Sequence, residues 1–256
     1  MIINVSVVIP VYNDCRNTRQ CLSSLFDTDF KEFEVILIDN ASRDGTKEAV
    51  EERFKNTVIL RNQRRMGYIY NNNRAIERSQ GRYILLLNAD TELREDTLQI
   101  MLDFMEKNPK TAVSGCKLMF DDGTLQLTCR RFPTPLVYIA RIPHFFRWIK
   151  TGKKFATSRV TRRYLMLDYD HKDSREVDWV LSAFFLMRKS TIAEIGRLDG
   201  ARIFGNIDAN RTIRDERDLF RRCPVYHSTR KRNRERDACK KNQYTLVMLD
   251  RPAYIL

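Results

Sequence analysis

Asn88-Ala89-Asp90-Thr91 is the stretch whose residue types and spacing do chemistry most directly. Asp90 is a hard oxygen donor of the kind Mg²⁺ or Mn²⁺ takes when substrate phosphates complete the shell. It follows the apolar run Tyr83-Ile84-Leu85-Leu86-Leu87, short enough to be one buried strand. Asn88 and Asp90 therefore fall at that strand's C-terminal end, where open α/β sheets bind ligands. A second apolar run, Val35-Ile36-Leu37-Ile38, ends in the same way at Asp39. The plainer alternative is that Asn88 to Thr91 is only a turn capping a helix over 95–107.

The elements that would position these carboxylates follow from periodicity. Apolar, β-branched runs predict strands over 5–10, 34–39, 57–60, 83–87, 112–118 and 177–187, the first ended by Pro10. Helical spacing predicts helices over 18–26, 47–54, 66–79, 95–107 and 189–195, the last closed by Gly196. Alternation of strand and helix with short connections predicts a doubly wound, mostly parallel sheet. Asp121-Asp122-Gly123-Thr124 reads as a tight turn. The organisation expected is a nucleotide-binding half over 1–122, an acceptor-side half over 123–229 and a basic tail over 230–256.

The net charge of +13 is unevenly spread. Residues 1–122 carry 17 basic and 19 acidic side chains, whereas 123–167 carry ten basic ones and no acid. In that stretch Arg141, Arg147, Lys150, Lys153 and Lys154 interleave with Phe145, Phe146 and Trp148. Such interleaving suits an amphipathic helix with a solvated face, a helix lying on an anionic membrane surface, or nucleic acid. No nucleic-acid-binding module is recognisable, and nucleic acid is not expected as a partner. Six cysteines without a C-x-x-C pair argue for reduced thiols rather than a disulfide or zinc framework. No apolar run approaches the ~20 residues of a membrane span, and the first residues lack the basic and cleavage regions of a signal peptide, so the expected location is cytoplasmic.

Taken together, Val7-Val8-Ile9-Pro10-Val11-Tyr12-Asn13, Val35 through Asp39-Asn40-Ala41-Ser42 to Asp44-Gly45-Thr46, Leu86 to Thr91, Asp122-Gly123-Thr124-Leu125-Gln126 and Val177-Asp178-Trp179 with Ser182-Ala183-Phe184 resemble the inverting family 2 glycosyltransferases of the GT-A fold. The Asn-x-Asp-Thr and Asp-Gly-Thr-Leu-Gln segments look most like the rhamnosyltransferase-like branch. The resemblance implies transfer of a sugar from a nucleotide-diphosphate-sugar to an acceptor hydroxyl with inversion, in synthesis of a cell-surface polysaccharide or lipid-linked glycan.

It also implies roles. Pro10, Tyr12 and Asn13 would line the base and ribose pocket, and Asp39 would accept a hydrogen bond from the base. Ser42, Gly67, Asn71, Asn88 and Ala89 would join the donor site. Asp90 would ligate a divalent metal, Mg or Mn, with His227 of Tyr226-His227-Ser228 completing the shell. The sequence departs from the family at Arg74, where a small residue is common, and in its acid motif. That motif reads Phe204-Gly205-Asn206-Ile207-Asp208, with Asn206 at the position of the base and Asp208 the carboxylate that remains. A nucleotide-sugar-binding protein without transferase activity, or a basic nucleic-acid-binding protein, are the competing classes.

Overall fold

The computed structural model describes residues 3–120, 122–132, 137, 159–171, 174–180 and 182–198. In chain order the elements are β1 (Val5–Val11), α1 (Cys15–Phe26), β2 (Phe33–Asp39), α2 (Thr46–Arg53), β3 (Thr57–Arg61), α3 (Tyr68–Arg78), β4 (Tyr83–Leu87) and α4 (Thr97–Lys107). After them come β5 (Val113–Ser114), β6 (Cys129–Arg130), α5 (Arg159–Tyr164), β7 (Trp179–Val180), β8 (Phe184–Arg188) and α6 (Lys189–Ile195). The main sheet runs β3-β2-β1-β4-β8-β5, and β6 pairs with β7 in a separate two-stranded sheet. β1 is parallel to both β2 and β4, and β3 is parallel to β2. β8 alone runs against its neighbours β4 and β5. The fold is the mostly parallel α/β architecture expected.

Strand composition explains the burial. With a side-chain period of two, a strand covered on both faces must be apolar throughout. Val7, Ile9, Leu37, Leu85 and Leu87 join Leu22, Leu25, Val50 and Met101 on one face. Val8, Ile36, Ile38, Ile84 and Leu86 meet Ala75 and Ile76 of α3 on the other. The core thus lies in two layers, with the chemistry left to the strand ends. At the entry to β4, Gly81 passes so close to β1 that a Cβ there would lie 2.6 Å from the Ser6 nitrogen, and its N–H donates to Ser6 Oγ at 2.8 Å. Only glycine permits that approach.

Three local expectations need correction. Pro10 does not end β1, which continues to Val11. The β1–β4 ladder stops at the Val8–Leu86 pair, so the missing N–H of Pro10 forfeits nothing on that side. The strand expected over 112–118 pairs only at Val113 and Ser114; Cys116 and Leu118 are buried without belonging to a strand. The apolar run over 177–187 is two strands in two different sheets, because the chain changes sheets between Val180 and Phe184. Of the turn expected at 121–124, Asp121 lies outside the described residues; Phe120 O accepts from Gly123 N–H at 2.9 Å, with Gly123 at φ 77°.

Candidate functional site

The C-terminal ends of β1 and β4 and the loop before α3 enclose a cavity of about 440 Å³. β1 contributes Pro10, Val11 and Tyr12, with Asp14 beyond it; β4's end contributes Asn88, Ala89 and Asp90. Asn40, Arg65, Met66, Gly67, Tyr68 and Asn71 close the third side. Of the residues singled out in the sequence, Pro10, Tyr12, Gly67, Asn71, Asn88, Ala89 and Asp90 come together here. Asp208, Asn206 and His227 lie outside the described residues, as do Arg141, Arg147, Lys150, Lys153 and Lys154.

Asn13, Ser42 and Asp39 do not line the cavity. Asn13 and Ser42 instead clasp the loops after β1 and β2. Asn13 N–H donates to Ser42 Oγ at 3.0 Å, and Asn13 Oδ1 accepts from Arg43 N–H at 2.8 Å. Asp44 extends the clasp, accepting from Cys15 N–H at 2.9 Å and from Thr46. Partial burial would raise its carboxyl, but these bonds hold it below the usual range. The clasp keeps Asn13 at φ 48° and Ala41 at φ 64°, costly for residues with a side chain unless the surroundings enforce it. Asp39 is fully buried: Oδ1 accepts from Ser42 N–H at 2.8 Å. Its Oδ2 sits 3.2 Å from Arg61 Nε without an aligned hydrogen bond. That ion pair with the partly exposed Arg61 is what offsets the burial of the Asp39 charge.

A buried asparagine network supports the cavity wall. Asn62 Nδ2 donates to Asn40 Oδ1 at 2.9 Å and to Asn71 Oδ1 at 2.7 Å. Asn40 fixes Met66 through both its main-chain groups, Met66 N–H to Oδ1 at 2.8 Å and Nδ2 to Met66 O at 3.0 Å. Arg74 has a use here: its Nη1 donates to Asn62 Oδ1 at 2.6 Å. Across the cavity, Tyr68 hydroxyl bonds Ser182 Oγ at 3.0 Å, and burial raises its pKa, so it stays protonated. Asn88 N–H donates to Ala183 O at 2.9 Å, and Asn88 O accepts from Thr91 hydroxyl at 2.7 Å. Beneath it the Cys21 thiol is pushed by burial up to about 12 and is inert. Asp14, Asn40, Arg65, Met66 and Tyr68 escaped the sequence reading; Asn40, immediately after the strand-ending Asp39, carried the clearest signal.

No group of three or more His, Cys, Asp and Glu able to cage an ion occurs among the described residues. Of the two carboxylates on the described cavity wall, Asp14 and Asp90, the second, with Asn88 two residues before it, fits the looser mode in which one or two carboxylates and substrate phosphates share a hard cation. No helix among the described residues is long and apolar enough to cross a membrane.

The family model described as glycosyl transferase family 2 matches residues 6–176. The putative teichuronic acid biosynthesis glycosyltransferase TuaG of Bacillus subtilis is 33% identical over 127 residues, 47% of this chain and 49% of that protein. The poly-β-1,6-N-acetyl-D-glucosamine synthase of Staphylococcus epidermidis is 32% identical over 116 residues, covering 43% of this chain and 28% of that one. The chain spans half or less of the length of these relatives. Among solved structures, residues 1–349 of S. aureus TarS in complex with UDP superpose at a TM-score of 0.55 and 17% identity, over 95% of this chain and 60% of that one. At that identity the likeness is one of fold.

Proposed function

The chain belongs to glycosyl transferase family 2, and from that membership we propose that it moves a sugar from a nucleotide-diphosphate donor to an acceptor hydroxyl with inversion, in a single displacement through an oxocarbenium-like state. The observation that carries this reading is the convergence of Pro10 to Tyr12, of Gly67, Tyr68 and Asn71, and of Asn88 to Asp90 on one cavity at the strand ends. In it Tyr12 takes the base against its ring; donor binding draws Asp39 Oδ2, outside the cavity lining and ion-paired with Arg61 until then, onto the base N–H. Asp90 holds a divalent cation, which when bound supplies Lewis-acid neutralisation of the leaving diphosphate. Asn88 in place of a second carboxylate leaves that ion more dependent on the donor's own phosphates. His227 is the further ligand the family resemblance supplies.

Asp208 is the group proposed to take the acceptor's proton, since the amide of Asn206 cannot. A chain that binds donor without transferring its sugar is the reading that Gly205 and Asn206 favour instead. The acceptor proposed is a growing cell-surface polysaccharide or lipid-linked glycan, in keeping with the teichuronic acid and poly-N-acetylglucosamine relatives. The acid-free stretch over 123–167 is proposed to meet that acceptor or an anionic membrane.

Calorimetry with UDP-, TDP- and GDP-sugars, with and without Mn²⁺, tests the donor reading. Asp39→Ala and Asp90→Ala should each weaken donor binding roughly ten- to a hundredfold, the effect of losing a charged contact. Unchanged affinity in both variants would sink it. A transfer assay on Asp208→Asn completes the test, with turnover falling by ~10²–10⁴ if Asp208 is the base.

A further inference from the structure

The lining residue Arg65 has no part in that reading. Arg65 Cζ lies 4.5 Å from the centroid of the Tyr12 ring, and both side chains line the cavity. Tyr12 remains 42% exposed. Among the described residues, the charged ones on the cavity wall besides Arg65 are Asp14 and Asp90. These three carry a formal charge of −1, which opposes a diphosphate until cations offset it. Arg65 is the cation that the described residues supply there.

A guanidinium and a nucleobase compete for the same kind of surface. Both are flat, and both stack on an aromatic face. One face of Tyr12 accommodates only one of them. Arginine is also the side chain whose planar fork matches a phosphate, through two parallel N–H donors. A ligand with a base and a diphosphate thus displaces Arg65 from the ring with one end and offers it a stronger partner with the other. A ligand with the base alone displaces it and offers nothing.

We propose that Arg65 is a selectivity gate: it covers the base-stacking face of Tyr12 in the empty site and is drawn off by the diphosphate of the incoming donor. The device makes the pocket discriminate nucleoside diphosphates from nucleosides by more than phosphate attraction alone. It rests on the donor-pocket reading above and adds to it a residue that sets ligand class. The loop that bears Arg65 is held from behind by the Asn40–Met66 bonds, so the side chain swings while its backbone stays.

The test compares uridine, thymidine and guanosine with UDP, TDP and GDP on wild type, Arg65→Ala and Arg65→Lys, by ligand-observed NMR and calorimetry with Mn²⁺ present. Arg65 is exposed, so neither substitution disturbs the core. In Arg65→Ala the affinity for the preferred nucleoside should rise about two- to fivefold, the equilibrium worth of one exposed cation–π contact. Affinity for its diphosphate should fall roughly ten- to a hundredfold, the worth of a charge-assisted contact. Arg65→Lys, with a charge but no planar fork, should recover part of the diphosphate affinity. If wild type binds none of the diphosphates, the donor-pocket reading falls and the gate with it. If wild type binds a diphosphate and Arg65→Ala fails to raise nucleoside affinity, or leaves the diphosphate-to-nucleoside ratio unchanged within about twofold, below the weakest effect expected of one such contact, the gate alone is refuted.

Discussion

Asn62→Ala is the substitution that most directly tests how the cavity wall is held. Asn62 is 7% exposed, and truncation removes three side-chain hydrogen bonds, to Asn40, Asn71 and Arg74. The losses are unequal. Asn40 Oδ1 keeps the bond from Met66 N–H, and Arg74 Nη1 keeps Arg61 O at 3.2 Å. Asn71 Oδ1, 2% exposed at the residue level, loses the bond from Asn62. Two neutral bonds at about 1 kcal/mol each and one charged bond at about 1.5 kcal/mol, partly offset by the surviving partners, give a loss of roughly 3 kcal/mol. For a chain of this size that is a fall of about 6–12 °C in Tm. Thermal unfolding followed by circular dichroism measures it. Nucleoside diphosphate affinity should fall alongside, because the wall residues Asn40 and Asn71 both lose the bond from Asn62 that holds them together. Asn62→Asp, nearly the same size, keeps the acceptor for Arg74 but sets a carboxylate oxygen against the acceptors Asn40 Oδ1 and Asn71 Oδ1, so it should destabilise at least as much. A Tm for Asn62→Ala within about 1 °C of wild type, against the several degrees that 3 kcal/mol implies, would refute the claim that the network is a support.

His171 offers a pH test. It is 1% exposed, stacked on Tyr169 at 4.3 Å, and burial holds its pKa down from 6.5 to about 4. The unfolded chain therefore binds a proton that the folded chain refuses as pH falls from 6.5 toward 4. The contribution is whole above pH 6.5 and is lost on acidification, with a slope of up to about 1.4 kcal/mol per pH unit. Urea unfolding between pH 4 and 8 should show His171→Gln with a flatter acid limb than wild type; equal slopes would count against it. The basic stretch over 123–167 should sediment with vesicles in proportion to their anionic lipid, each basic residue contributing about 1 kcal/mol near the surface. Equal recovery with neutral and anionic vesicles would end that proposal.

What the sequence made legible was whatever had a one-dimensional signature. β1, β2 and β4 are covered on both faces, so their apolar runs are unbroken and their polar ends mark the ligand edge of the sheet. That is why Asp39, Asn88 and Asp90 were identifiable as strand-end residues. The run over 177–187 failed by the same logic: burial makes two strands in different sheets as continuous in composition as one. Asn13 and Ser42 lay in recognisable motifs, yet a motif does not say whether a polar side chain faces a cavity or a neighbouring loop. Arg65 and Tyr68 acquire their surroundings only through contacts with Tyr12 and Ser182, 53 and 114 residues away in the chain. Arg74 looked like a defect in the loop; its partner Asn62 could be found only once α3 lay against the end of β3.

The position of β8 has a consequence for how this molecule is made. β4 lies inside the sheet, but the strand that covers its second edge is encoded about a hundred residues later. At roughly 5–20 residues per second, a nascent chain displays Tyr83-Ile84-Leu85-Leu86-Leu87 with one open edge for about 5–20 s before Phe184 to Arg188 leaves the ribosome. An apolar strand with unpaired amides is a template for pairing with another chain. A polypeptide truncated before β8 keeps that edge permanently, however complete its first four strands. The same docking event brings Ala183 O to Asn88 N–H. Synthesis thus reaches the amide clamp beside Asp90 in the same step that shields the chain from its neighbours.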